Sequence, residues 1–105
     1  MTNAFIIMDK TKIEVLVGGH SGYEDIEKDI VCASVSALMN YVANLISLTT
    51  SNFTFEENVK DASMRLVINE NNDTISNIIK CLINSFNDIS LDYGKYFKLK
   101  IENKN

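Results

Sequence analysis

The sequence predicts an α+β fold: one small domain over residues 1–105, with elements in the order ββαββαβ. A mixed or antiparallel sheet would carry two helices on one face. Three observations predict this. Short stretches near both ends and in the middle alternate apolar with polar residues, the period of a half-buried strand. Twice the apolar spacing changes to a helical period, after Asp29 and after Asp73. The chain has 105 residues, 46 % hydrophobic and 23 % charged, with no Pro, repeat or linker, enough for one modest core.

Each element follows in turn. Residues 4–8 are an apolar run, and residues 9–12, Asp-Lys-Thr-Lys, have the polarity of a turn. Ile13, Val15 and Val17 then share one face, with Glu14 and Leu16 on the other, which reads as a β-hairpin. Gly18 and Gly19 end it, because glycine takes backbone angles closed to other residues. Val31, Val35, Leu38, Met39, Val42, Leu45 and Ile46 form a helical stripe; Asp29 is the expected N-cap, and the helix should end near Leu48. Residues 53–56 and 63–69 are the next strands. Asp73 or Thr74 should cap a second helix whose apolar face is Ile75, Ile78, Ile79, Leu82, Ile83 and Phe86. Phe97, Leu99 and Ile101 alternate with Lys98 and Lys100 in a last strand.

Composition narrows the function. The net charge is −4 and Arg65 is the one arginine, so no basic face for nucleic acid is expected. An acidic chain meets a basic partner more readily. No run is expected to reach the roughly 20 apolar residues that span a bilayer, and the first residues do not read as a secretory signal. The expectation is a cytoplasmic protein away from membranes. Two cysteines and one histidine do not close a tetrahedral zinc site, and their spacings match no paired-ligand pattern, so no metal is expected. A cytosolic setting also argues against a disulfide between Cys32 and Cys81. Cys81 reads as a structural residue beside the second helix's apolar stripe.

Chemistry concentrates in residues 18–38, GGHSGYEDIEKDIVCASVSAL, which hold His20 and Cys32. With a cap at Asp29, Cys32 falls in the first helical turn. Unpaired amides and the positive end of the helix dipole there stabilise a thiolate, the nucleophilic form, and could serve as an oxyanion hole. The loop from Ser21 to Lys28 is long enough to fold His20 back as general base. The residues alone favour a Cys packed as a small hydrophobe and a His in a turn. Acidic residues Glu24, Asp25 and Glu27 read as a solvated loop or a lure for a basic substrate.

Gly19-His20-Ser21, then Asp29-Ile30-Val31-Cys32-Ala33 with eleven residues between His20 and Cys32, and then Ser36 resemble the signature of the Prp family of ribosomal-processing cysteine proteases. The order of elements and the ending YGKYFKLKI resemble that family more weakly. The resemblance implies a small, single-domain, dimeric enzyme without a cofactor. It implies removal of an N-terminal extension from the precursor of large-subunit ribosomal protein twenty-seven. Cys32 would be the nucleophile and His20 the general base. Asp29 would orient His20 or cap the helix, and Ser36, one turn beyond Cys32, would line the pocket or simply pack. Gly19, Ser21, Gly22 and Tyr23 would belong to the substrate-binding loop, with Gly22 as its hinge. Two residues depart from the common pattern: Ser21 replaces Ala, and Glu27 replaces a Gly that would loosen the loop. Rival readings are a non-catalytic module that holds the same ribosomal protein, another acyl-transferring thiol enzyme, and a redox sensor.

Overall fold

The computed structural model describes residues 1–19 and 26–104, and of residues 26–28 the backbone alone. The elements are β1 (Thr2–Met8), β2 (Ile13–Gly18), α1 (Ile26–Thr49), β3 (Phe53–Asn58), β4 (Ser63–Ile68), α2 (Asp73–Tyr93) and β5 (Phe97–Asn103). This is the expected ββαββαβ order. The strands form one sheet in the order β3-β4-β2-β1-β5, antiparallel except for the parallel pair β1 and β5. The sheet is therefore mixed.

Local chemistry explains the connections. In the β1–β2 turn the Asp9 carboxylate accepts from the Thr11 and Lys12 amides and the Thr11 hydroxyl. These donors, the Thr11 amide first, hold the Asp9 carboxyl below its ordinary range. The cap of α2 is Asn72, not Asp73 or Thr74: its side chain accepts from the Ile75 amide at 2.9 Å. Several good capping residues stand side by side there, so composition alone did not choose among them.

Helix α1 begins at Ile26, upstream of the expected start, which corrects the reading of Asp29 as its cap. Glu27 and Lys28 are good helix formers and extend the helix backwards past the apolar stripe. Counting Ile26 as the first residue, Asp29 is the fourth and Cys32 the seventh. Residues Asp29–Thr49, 21 in all with mean hydropathy 1.6, are long and apolar enough to cross a membrane, contrary to the expectation that no stretch is. Burial accounts for part of that apolarity: Val31, Val35, Met39, Val42, Ala43 and Ile46 are in the core.

The core lies between the helices and one sheet face. Ala4, Ile6, Ile13, Val15, Leu66, Ile68 and Phe97 meet the α1 stripe and Ile75, Ile79, Leu82 and Phe86 of α2. Burying side chains of this size supplies roughly 1.5–3 kcal/mol each relative to leaving them exposed. The Phe86 and Phe97 rings are tilted against each other with centroids 5.4 Å apart. Phe86→Ala should destabilise the fold by about 3–5 kcal/mol, read from the midpoint of urea unfolding. A loss below about 1 kcal/mol would mean that α2 is not held through this ring.

Among the described residues, the other sheet face carries no helix. Across it the register sets Glu56, Arg65, Leu16, Phe5 and Lys100 in one row. Arg65 pairs with Glu14 at 2.9 Å, and Lys100 Nζ lies 5.5 Å from the Phe5 ring centroid.

Candidate active site

Cys32 sits at the margin of the buried stripe of α1, between Val31 and the next turn. It is half-buried, and its thiol is free. The side chain faces a groove of about 250 Å³ with three walls. One wall is the start of β1 and the end of β2: Thr2, Val17, Gly18 and Gly19. The second is α1, with Cys32, Val35 and Ser36. The third is the β3–β4 hairpin, with Glu57, Asn58, Val59, Ser63 and Met64 among its lining residues.

Sheet register assembles these walls. Gly18 pairs with Ser63 and Val17 with Met64, which sets the hairpin beside the strand end that leads towards His20. The hairpin turn is pinned by reciprocal bonds: Asn58 Nδ2 donates to Asp61 Oδ2 and the Asp61 amide to Asn58 Oδ1. Val17, Val35 and Met64 give the groove an apolar floor, each under a tenth exposed. Glu57 and Asn58 are exposed at its rim, and Val59 is 84 % exposed. A groove with a dry floor, a polar rim and a thiol in its wall suits a peptide that inserts apolar side chains and offers a carbonyl to sulfur.

Thr2 contacts the sulfur directly. Its hydroxyl Oγ1 lies 3.4 Å from Cys32 Sγ, and either atom can donate. The Thr2 amide donates to the Tyr96 carbonyl at 2.9 Å, which fixes the strand start. Gly19 has φ +143°, and a Cβ there would stand 2.1 Å from the Met1 carbonyl oxygen and 2.8 Å from Thr2 Cα. Only glycine lets this strand end pack so closely on the start of β1.

Among the expected site residues, the structure brings Gly19, Cys32 and Ser36 to one groove. Ser36 is half-buried, and its carbonyl accepts from Asn40 Nδ2 at 2.9 Å. Asp29 is exposed and does not line the groove. His20, Ser21, Gly22 and Tyr23 lie outside the described residues. Cys32 is not in the first turn of α1. The four amides without helical partners belong to that turn, and the dipole's influence fades beyond it. Activation and oxyanion binding by the helix start, expected from a cap at Asp29, are therefore not what this geometry offers. Cys81 is exposed on α2 rather than packed as a structural residue.

Sequence reading missed Thr2 and the whole hairpin wall. Thr2 carried a signal, since it continues the i, i+2 register of Ala4 and Ile6. The hairpin residues carried none, because only the pairing of β2 with β4 brings them to Cys32.

Comparison with known proteins places the chain. The family model described as cysteine protease Prp matches residues 1–98. No curated protein sequence matches. Among solved structures, the ribosomal processing protease Prp from S. aureus, in complex with a substrate peptide, superposes with TM-score 0.83 at 24 % identity. The alignment covers 97 % of this chain and 100 % of that one. The same S. aureus protease with a covalently linked product peptide gives TM-score 0.78, also at 24 % identity and with the same coverage. SMU.848 from Streptococcus mutans gives TM-score 0.83 at 19 % identity, over 99 % of this chain and 96 % of that one. At these identities the solved structures establish a shared fold. The family match runs from β1 into β5 and includes the whole groove around Cys32, and by it the chain belongs to the cysteine protease Prp family.

Proposed function

We propose that the chain is a Cys–His endopeptidase that removes the N-terminal extension of large-subunit ribosomal protein twenty-seven. It would act in the cytoplasm, as a homodimer and without binding nucleic acid. The observation that carries this reading is the free Cys32 thiol in the wall of a groove with an apolar floor. The S. aureus relative seen with a substrate peptide and with a covalently linked product peptide supports it.

The chemistry is acyl transfer. Cys32 Sγ bonds to the scissile carbonyl carbon while its proton passes to the His20 imidazole. The tetrahedral intermediate collapses, the C–N bond breaks, and His20 gives that proton to the leaving amine. Water then attacks the thioester and gives a proton to His20. The C–S bond breaks, and the proton returns to sulfur. Asp29 would orient His20, and Ser36 would contact the bound peptide. Gly19, Ser21, Gly22 and Tyr23 would contact the bound peptide as well.

The test is to mix the purified protein with the precursor of ribosomal protein twenty-seven from its own organism and follow the precursor's mass. Loss of one defined N-terminal peptide is the expected result. An unchanged mass with the two proteins still associating would favour a binding module built on the same fold.

A further inference from the structure

We propose that Thr2 is a positioning residue for the Cys32 nucleophile, joining the thiol to the strand end that leads towards His20. The inference rests on Cys32 being the nucleophile, and the groove geometry carries it the rest of the way.

Thr2 lies on the helix-facing side of β1, in register with Ala4 and Ile6. A valine would fill that position without a polar atom. Among the described residues Thr2 is the buried polar side chain, 7 % exposed. A buried hydroxyl is costly unless it finds a partner, and the neighbour within reach is Cys32 Sγ at 3.4 Å. Its bond changes character during the reaction. With sulfur protonated, either atom donates. Once the proton has left, only the hydroxyl can donate, and a bond to an anion is about twice as strong as a neutral one. The contact therefore favours the attacking form over the resting form.

Thr2 is also held rigidly. Its amide is bonded to Tyr96, it pairs with Phe97 in the parallel ladder, and its β-branched side chain has few rotamers. The backbone of Gly19 lies against its Cα too closely for any side chain. Thr2 thus touches the nucleophile with its side chain and the residue before His20 with its backbone.

The experiment uses Thr2→Val and Thr2→Ser in a Cys81→Ser background, so that Cys32 is the thiol read out. The readouts are kcat and KM on the ribosomal protein precursor, the rate of Cys32 alkylation by iodoacetamide, and the thermal midpoint. Thr2→Val should lower kcat about tenfold with KM changed less than about twofold, and should slow alkylation in parallel. Its thermal midpoint should stay at or above that of the parent, because a methyl replaces a hydroxyl of the same shape. Thr2→Ser should restore kcat and alkylation. If the Val protein misfolds, Thr2→Ala compared with Thr2→Ser reads the same contrast. Unchanged kcat and alkylation in Thr2→Val, or a Ser variant as impaired as the Val variant, would overturn the proposal. The alkylation rate needs no peptide substrate, so it judges Thr2 even if the precursor is not cleaved. Failure of the parent to cleave the precursor would count against the proposed function instead.

Discussion

Cys32→Ala should fold as the wild type does and lose cleavage by about 10⁴-fold or more, the scale on which removing a catalytic nucleophile acts. Folding should survive because Cys32 is half-buried at the edge of the α1 stripe, while Val31 and Val35 on either side bury its core contacts. Alanine is the best helix former and introduces no polar group. The stability cost should be about 1 kcal/mol, near the centre of the distribution for single substitutions. Loss of activity with an unchanged unfolding curve separates chemistry from structure. Cleavage at a tenth of the wild-type rate or better would move the nucleophile elsewhere.

Gly19→Ala should damage both stability and activity. The added Cβ would meet main-chain atoms of Met1 and Thr2 at 2.1–2.9 Å, and main chain does not swing aside as a side-chain tip does. The backbone at φ +143° adds strain for any L side chain. Strain of about 1–3 kcal/mol and overpacking of a similar size point to a loss of about 2–5 kcal/mol. Relief requires the start of β1 to move away, which pulls the Thr2 hydroxyl from Cys32. Activity should therefore fall further than the folded fraction does. The control is Gly18→Ala, where the new Cβ would meet Ser63 Cβ at 3.4 Å, an ordinary contact. Its unfolding midpoint should stay close to wild type. Equal destabilisation by the two substitutions would show that the close approach at Gly19 is not what holds the strands together.

Sequence made the elements legible where one face is buried. The stripe Val31, Val35, Met39, Val42, Ile46 and the alternation Ile13, Val15, Val17 mark the sides that ended in the core. Boundaries set by polar residues were harder. Asp29 has the chemistry of a cap, but it lies inside α1 because Glu27 and Lys28 favour the helix as well. That shift moves Cys32 away from the helix start and removes the activation that its sequence position had suggested. The parallel pairing of β1 with β5 joins residues almost a chain length apart, and no local pattern encodes it. That pairing also anchors Thr2, whose partner Cys32 is thirty positions away. The Cys32 segment was legible through its likeness to a known signature. The remaining groove walls come from long-range register, and a single sequence does not display register.

The central claim is that a peptide is carried on Cys32 as a thioester. The most direct measurement is the intact mass of the protein, quenched in acid milliseconds to seconds after mixing with the ribosomal protein precursor, followed by peptide mapping. The account predicts a transient mass gain equal to the released N-terminal segment less one water. The gain should be labile to hydroxylamine, map to the peptide containing Cys32 and be absent from Cys32→Ala. Product that accumulates while no adduct forms, or an adduct carried by another residue, would contradict it.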